Sequence, residues 1–163
     1  MKRKIFFAFF LIIISVTYSV AQTNLPNAAK ADLSASETQV LNSANWIITT
    51  GLTVELGKRK PANGIVLKWY IDTITLNIKL VEKLSAIYGA NSDLLMMFFA
   101  GYSKFYLENK KTATNSAATK AGLISLINVY KRGIGVTKGE ELEKLVALAD
   151  ADKIDDYIKN NFD

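Results

Sequence analysis

Residues 92–107 read SDLLMMFFAGYSKFYL. Leu94 through Phe99 are apolar without a break, and Tyr102, Phe105, Tyr106 and Leu107 carry the run on. A helix that is apolar on every side belongs at the centre of a bundle. Lys104 interrupts the run too early for it to cross a bilayer, which takes about 20 mostly apolar residues. Met96, Met97, Phe98 and Phe99 can line a greasy pocket, but close packing in a core is the expected use. Ser92 is placed to cap the helix, and Asp93 favours its first turn. The stretch makes the expected fold all-α.

Working outward, Leu76, Leu80, Leu84, Ile87 and Tyr88 form a stripe that predicts a helix over 76–88, stopped by Gly89. Further back, Ser34 and Glu37 have the spacing of a capping box. Val40, Leu41, Ala44, Ile47 and Ile48 follow, so a helix is expected over 35–50 with Gly51 at its end. Residues 52–61 hold Gly57, the basic run Lys58-Arg59-Lys60 and Pro61, and read as a loop or a short broken helix. The run can bind an anion, although a solvated turn is the expected reading. A helix is expected over 62–71, then an irregular link. Ile71 to Ile78 alternate in part, which leaves a β-hairpin over 64–80 as the alternative, though no Asn-Gly or Asp-Gly turn divides it.

Downstream, the link 109–115 is polar. Ala117, Ala121, Ile124, Ile127 and Tyr130 form a helix face from Ser116 to Gly133, and Ala117, Ala118, Ala121 and Gly122 would let a neighbouring backbone come close. A helix over 139–149 rests on Leu142, Leu145, Val146 and Ala149. The last opens with Asp152-x-x-Asp155 and buries Ile154, Tyr157 and Ile158. The expectation is one compact bundle, or a short array of αα-hairpins, with five to seven helices over 34–163.

The first 21 residues read differently. Lys2, Arg3 and Lys4 precede ten apolar residues, Ile5 to Ile14, and small side chains stand at Ser19 and Ala21 before Gln22. This is the three-part pattern of a secretory signal cleaved between Ala21 and Gln22. The competing reading is a membrane anchor, for which about 17 residues is the lower limit. No cysteine is present, so lipid attachment through one is excluded. Residues 22–33 are expected to be a flexible leader, and the product is expected to be periplasmic or secreted, with no stable membrane anchor after cleavage.

The chain has 20 basic and 15 acidic side chains, a net charge of +5, but three of the basic ones lie in the signal. Beyond it, 17 basic groups face 15 acidic ones, so net charge points to no nucleic-acid partner. Charge is uneven: 14 basic and 7 acidic groups in 22–138, against 3 and 8 in 139–163. Docking of the acidic end on the basic body and solvated helix faces explain this equally well. With no His and no Cys, Ser-His-Asp triads, Cys-His dyads and His-ligated zinc are excluded. Paired carboxylates, Tyr, Lys or oxygen-bound metal would have to carry any chemistry.

Glu55, Glu82 and Glu108 stand nearest apolar stretches, where burial raises a carboxyl pKa toward that of a general acid, but no spacing pairs them. Asp150, Asp152, Asp155 and Asp156 lack the glycine and distal glutamate of an EF-hand loop, and capping accounts for two of them. No metal and no cofactor are expected. Trp46, Trp69, Tyr70 and Tyr102 can stack on a sugar or peptide, with interior packing the default. Gly133-Ile-Gly-Val-Thr-Lys-Gly139 fails the spacing of a phosphate-binding loop and follows a helix, not a strand.

Tyr130, Gly133, Gly135 and Val136 resemble the turn of a Sel1-like helical repeat over one junction of about 30 residues, and imply an αα-hairpin there. The chain also resembles uncharacterised exported all-helical proteins of Bacteroidetes type. The likeness rests on Ala21-Gln22, on Arg59-Lys-Pro-Ala-Asn63 before Leu67-Lys-Trp69, and on Val129-Tyr-Lys131. It implies compartment and fold, not activity. The leading expectation is an exported, non-enzymatic helical protein that binds a protein or small-molecule partner in the cell envelope. The alternative is a carboxylate-dependent hydrolase of envelope polymers. Amino-terminal sequencing of the product recovered outside the inner membrane is expected to start at Gln22; a product retained in the membrane with residues 2–21 intact makes the segment an anchor.

Overall fold

The computed structural model describes residues 33–74 and 78–162. The expected signal and cleavage site, and the expected leader as far as Asp32, lie outside the described residues. Seven helices and no strand occur among the described residues: α1 (Ala35–Thr49), α2 (Leu56–Ile74), α3 (Ile78–Tyr88), α4 (Asp93–Glu108), α5 (Asn115–Lys131), α6 (Glu140–Asp150) and α7 (Ile154–Asn161). The all-α bundle is thus the fold.

Helix α4 is the central element, as its apolar circumference requires. It packs on α1, α2, α3 and α5, and buries Leu94, Met97, Phe98, Phe99, Tyr102 and Leu107. Its closest neighbour is α5, and glycines set the approach. A Cβ on Gly101 would overlap Ser125 Oγ and lie 2.7 Å from the Ala121 carbonyl oxygen. A Cβ on Gly122 would lie 2.7 Å from Phe98 Cδ2 and 2.9 Å from the Phe98 carbonyl oxygen. The small residues of α5 therefore act as expected, with Gly101 as their counterpart on α4. The buried face of α5 is Ala118, Thr119, Gly122, Leu123, Leu126, Ile127, Val129 and Tyr130, rotated from the expected one because Ala117, Ala121 and Ile124 sit at its edge.

Local signals explain most helix ends. Ser34 and Glu37 form the expected box: Glu37 N–H donates to Ser34 Oγ at 3.3 Å, and Ser34 N–H to Glu37 Oε2 at 2.9 Å. Gly89 (φ 50°) and Gly133 (φ 71°) take the left-handed conformation just beyond α3 and α5.

Five expectations are corrected. Residues 56–61 are helical, so the loop closes at Glu55 (φ 48°) and α2 carries both the basic run and Pro61. The reason is tertiary: Arg59, Ala62, Val66 and Tyr70 form one buried stripe, which outweighs the backbone hydrogen bond lost at Pro61. The β-hairpin is excluded over 64–74, where the chain stays helical; residues 75–77 are not described. α1 ends at Thr49 with an extended Thr50 as its cap, so the stop falls one residue before Gly51. Ser92 makes no side-chain cap bond, and α5 is capped instead by Thr114. Asp152 closes α6 rather than opening α7: at φ 56° it donates to the Ala149 carbonyl at 3.1 Å, and Lys153 N–H reaches the Leu148 carbonyl at 2.8 Å, a Schellman end.

The acidic C-terminal end does meet the basic body. Lys120 pairs with Asp155 at 2.6 Å and Lys131 with Asp150 at 2.8 Å, both exposed enough to contribute about 1 kcal/mol or less each. The α4–α5 crossing matters more. Gly101→Ala or Gly122→Ala is expected to cost about 1–3 kcal/mol through overpacking, despite alanine's better helix propensity. Thermal denaturation checks this: a melting temperature unchanged or raised in both variants means the backbones do not touch.

Candidate functional site

Helices α1 and α2 run antiparallel. Trp46 near the end of α1 lies against Lys58 and Arg59 at the start of α2, while Ser34–Glu37 share a depression with Lys68–Thr73 at its end. Two adjoining depressions follow the seam between them, with Gln39 a wall of both. The first, about 500 Å³, is lined by Ser34, Ser36, Glu37, Lys68, Trp69, Asp72 and Thr73 over a floor of Val40 and Ile65. The second, about 490 Å³, is lined by Thr38, Asn42, Ser43, Trp46 and Lys58 beside Ala62. Trp46 faces Arg59, ten residues before Trp69, so the two indoles stand about 15 Å apart along the furrow.

The furrow is rich in hydroxyls and amides, and its charges are already matched. Lys110 Nζ lies 2.6 Å from Glu37 Oε1, and Lys68 Nζ lies 2.6 Å from Asp72 Oδ2. The Lys110 ammonium and the Ser34 backbone N–H hold the Glu37 carboxyl below the usual carboxylate range. Glu37 is thus the conjugate base at neutral pH and no general acid. The arrangement can hydrogen-bond a polar ligand over an apolar floor. The hydroxyl that lies beside its carboxylate, Ser34 Oγ at 2.9 Å from Glu37 Oε2, also accepts from the Glu37 backbone N–H in the α1 capping box.

Arg59 sits at one end of this seam, within the basic run read as a solvated turn. That reading fails for Arg59, which is 5 % exposed. Its Nη2 donates to the Thr50 carbonyl at 3.1 Å and the Gly51 carbonyl at 2.6 Å, satisfying oxygens that the end of α1 leaves free. Burial lowers the guanidinium pKa and nearby Asp93 opposes that. The guanidinium also lies over the Trp46 ring, 5.2 Å from its centroid, and Lys58 lies 4.9 Å from the same centroid. Trp46 is therefore held by cations, whereas Trp69 meets Tyr106 edge-on at 5.9 Å.

The three glutamates do not converge. Glu37 at the start of α1 pairs with Lys110 just past the end of α4, so α1 and α4 are antiparallel. Glu108 therefore lies at one end of the bundle and Glu55, beyond the end of α1, at the other, separated by the roughly 20 Å length of that helix. Both pair with lysines of their own segment, Lys58 and Lys104, and Glu82 is exposed on α3. The four C-terminal aspartates disperse too, two of them into the ion pairs with α5. Tyr70 and Tyr102 are interior, in a cluster with Phe98 and Phe99. Met97, Phe98 and Phe99 are core; Met96 is half-buried.

The loop 132–139 is braced, and a depression of about 360 Å³ beside it is lined by Gly133, Lys131 and Lys138 together with Glu143. Tyr130 Oη donates to Glu143 Oε1 at 2.7 Å and accepts from Gly139 N–H at 3.2 Å, and α6 packs back on α5. Asn91 grips the same loop from the α3–α4 turn: its Nδ2 donates to the Thr137 carbonyl at 2.8 Å, and Thr137 N–H donates to its Oδ1 at 2.6 Å.

The furrow residues Gln39, Asn42, Ser43 and Asp72 were not singled out in the sequence. A signal existed: apart from Glu37, the polar face of α1 is uncharged over residues 35–49. No family model, curated protein or solved structure matches this chain.

Burial pushes the Tyr102 phenol up to about 12 and raises Tyr70 further. In the unfolded chain both ionise near pH 10, so the fold favours the neutral phenols. Stability from this source is complete below pH 10 and is lost as pH rises toward 12. Spectrophotometric alkaline titration is expected to show a fraction of phenols ionising only together with the loss of helical circular dichroism. Ionisation of every tyrosine near pH 10 with the helices intact contradicts it.

Proposed function

We propose that this is an exported, non-enzymatic binding protein whose ligand, a protein segment or a small polar molecule of the cell envelope, lies in the α1–α2 furrow. The furrow itself carries the reading. It offers hydroxyl and amide partners from Ser36, Gln39, Asn42 and Ser43, an apolar floor, and an indole at each end. Ligand sites combine an apolar surface with a few placed polar groups in this way. The signal pattern at Lys2–Ala21 supports the compartment. The ion-paired state of Glu37 and Asp72, and the wide separation of Glu55 and Glu108, favour binding over hydrolysis. No helix among the described residues is long and apolar enough to cross a membrane.

Trp46 and Trp69 are the only tryptophans in the chain and both line the furrow, so intrinsic emission reports on it directly. Envelope fractions, then purified glycans and peptides, are expected to change that emission on binding. Gln39→Phe narrows the wall shared by both depressions from an exposed position. It is expected to weaken any such ligand at least tenfold, about 1.4 kcal/mol, with thermal stability unchanged. Equal affinity in the variant places the site elsewhere.

A further inference from the structure

The charges along the α1–α2 furrow cancel in pairs. Its charged walls are Glu37, Lys58, Lys68 and Asp72. Glu37 is held by Lys110 at 2.6 Å, Lys68 by Asp72 at 2.6 Å, and Lys58 lies 3.7 Å from Glu55. A charged ligand would have to break one exposed pair to form another, and so gains little. The other polar walls include the hydroxyls of Ser36 and Thr38, which share their bonds with Ser34, and the amides of Gln39 and Asn42, which stand exposed beyond them. Hydroxyls and primary amides both donate and accept hydrogen bonds.

The indoles at the two ends differ. Trp46 lies under Lys58 and Arg59, at 4.9 and 5.2 Å from its ring centroid. Trp69 is half-buried, meets Tyr106 at 5.9 Å with the rings inclined by 61°, and lines the first depression beside Val40 and Ile65. It is the more open of the two as a stacking surface.

The usual ways of gripping a peptide fit this surface poorly. Strand addition needs a sheet edge, and no strand occurs among the described residues. A docked helix needs a continuous apolar groove, whereas the apolar floor here is Val40 and Ile65 in one depression and Ala62 beside the other. An acidic or phosphorylated motif needs unpaired basic groups. A sugar chain asks for less. Its hydroxyls donate and accept as the furrow's side chains do, and the C–H face of a pyranose ring suits the electron-rich face of an indole.

We infer that the furrow takes an uncharged oligosaccharide, with Trp69 as the platform on which one pyranose ring stacks. This rests on the furrow being the binding site, as proposed above, and adds the class of its ligand. Gln39 and Asn42 meet hydroxyls along the sugar chain, and the apolar floor meets ring C–H groups. No ion pair forms with the ligand, so its affinity is insensitive to salt.

The protein is titrated with the uncharged hexasaccharides of maltose, cellulose and laminarin type, with a sulfated chondroitin hexasaccharide and with a decaproline peptide. Calorimetry gives the affinities, and the Trp46→Phe variant leaves Trp69 as the sole emitter. At least one uncharged hexasaccharide is expected to bind and to change Trp69 emission, with an affinity that stays within about twofold up to about 0.5 M salt. Trp69→Leu is expected to weaken it about tenfold or more. Asn42→Ala, from an exposed position, is expected to weaken it about fivefold at unchanged circular dichroism. Should Trp69→Leu fail to fold, Asn42→Ala and the salt series still decide the matter. Silence with every uncharged hexasaccharide, binding that falls steeply with salt, or a response to the sulfated sugar or decaproline alone overturns the inference. If such a charged or peptide ligand is lost in Gln39→Phe, the furrow stands as the site and only its ligand class is wrong. Uncharged sugars that bind Gln39→Phe as tightly as the parent remove the furrow, and this inference with it.

Discussion

Two helices can bring their backbones into contact only where no side chain stands between them. Gly101 on α4 and Gly122 on α5 meet that condition, and the rest of the fold is arranged around the crossing they permit. With α4 and α5 this close, Phe98 packs over Gly122, and the aromatic side chains of α4 turn toward the other helices. Tyr70 of α2 fits against Phe99 at 4.5 Å and Tyr102 at 5.1 Å, which fixes how α2 lies on the pair. α1 covers the remaining flank of α4, while α7 attaches to α5 and α6 to both α5 and α3. The position of α2 beside α1 then defines the furrow. The candidate site is thus a consequence of how two glycines let the core close.

Much of this is legible in residues 92–107, whose unbroken apolar character has only one comfortable location in a protein of this size. The capping box at Ser34, the stops at Gly89 and Gly133 and the small residues of α5 are local signals, and local physics decides them. What is not legible has a common cause. Pro61 and the charges around it read as a loop because propensity and polarity are the only information a short window holds. The stripe Arg59-Ala62-Val66-Tyr70 is visible only once a charged residue is accepted as a buried one, and Arg59 is buried because the end of α1 needs its donors. Asp152 shows the same limit. Its spacing to Asp155 fits a cap, but the backbone turn that ends α6 claims it first.

The candidate site was less legible still. Sequence reasoning directs attention to unusual residues such as glutamates near apolar runs, clustered aspartates, and glycines in a loop. The structure uses those for ion pairs, helix ends and bracing. The furrow is instead built from ordinary polar residues whose significance lies in sharing a seam, and a seam belongs to two helices rather than to one segment. Trp69 joins the two views: it stood out among the aromatics in the sequence, and it is the indole left half-open at the furrow's end.

The grip of Asn91 on Thr137 joins residues 46 apart in the chain with two hydrogen bonds. Together with Tyr130 and the exposed ion pairs from α5, it supplies the polar attachment of the C-terminal helices, whose buried apolar side chains are Leu142, Leu145, Ile154 and Ile158, with Val146, Leu148, Ala149, Tyr157 and Phe162 packed beside them. Helices α6 and α7 bury fewer side chains than α4 or α5, the condition under which local opening costs least. Fluctuations of these two helices would carry the α5–α6 loop with them and leave the α1–α2 furrow as it is. Asn91 ties the segment that leads into α6 to the α3–α4 turn.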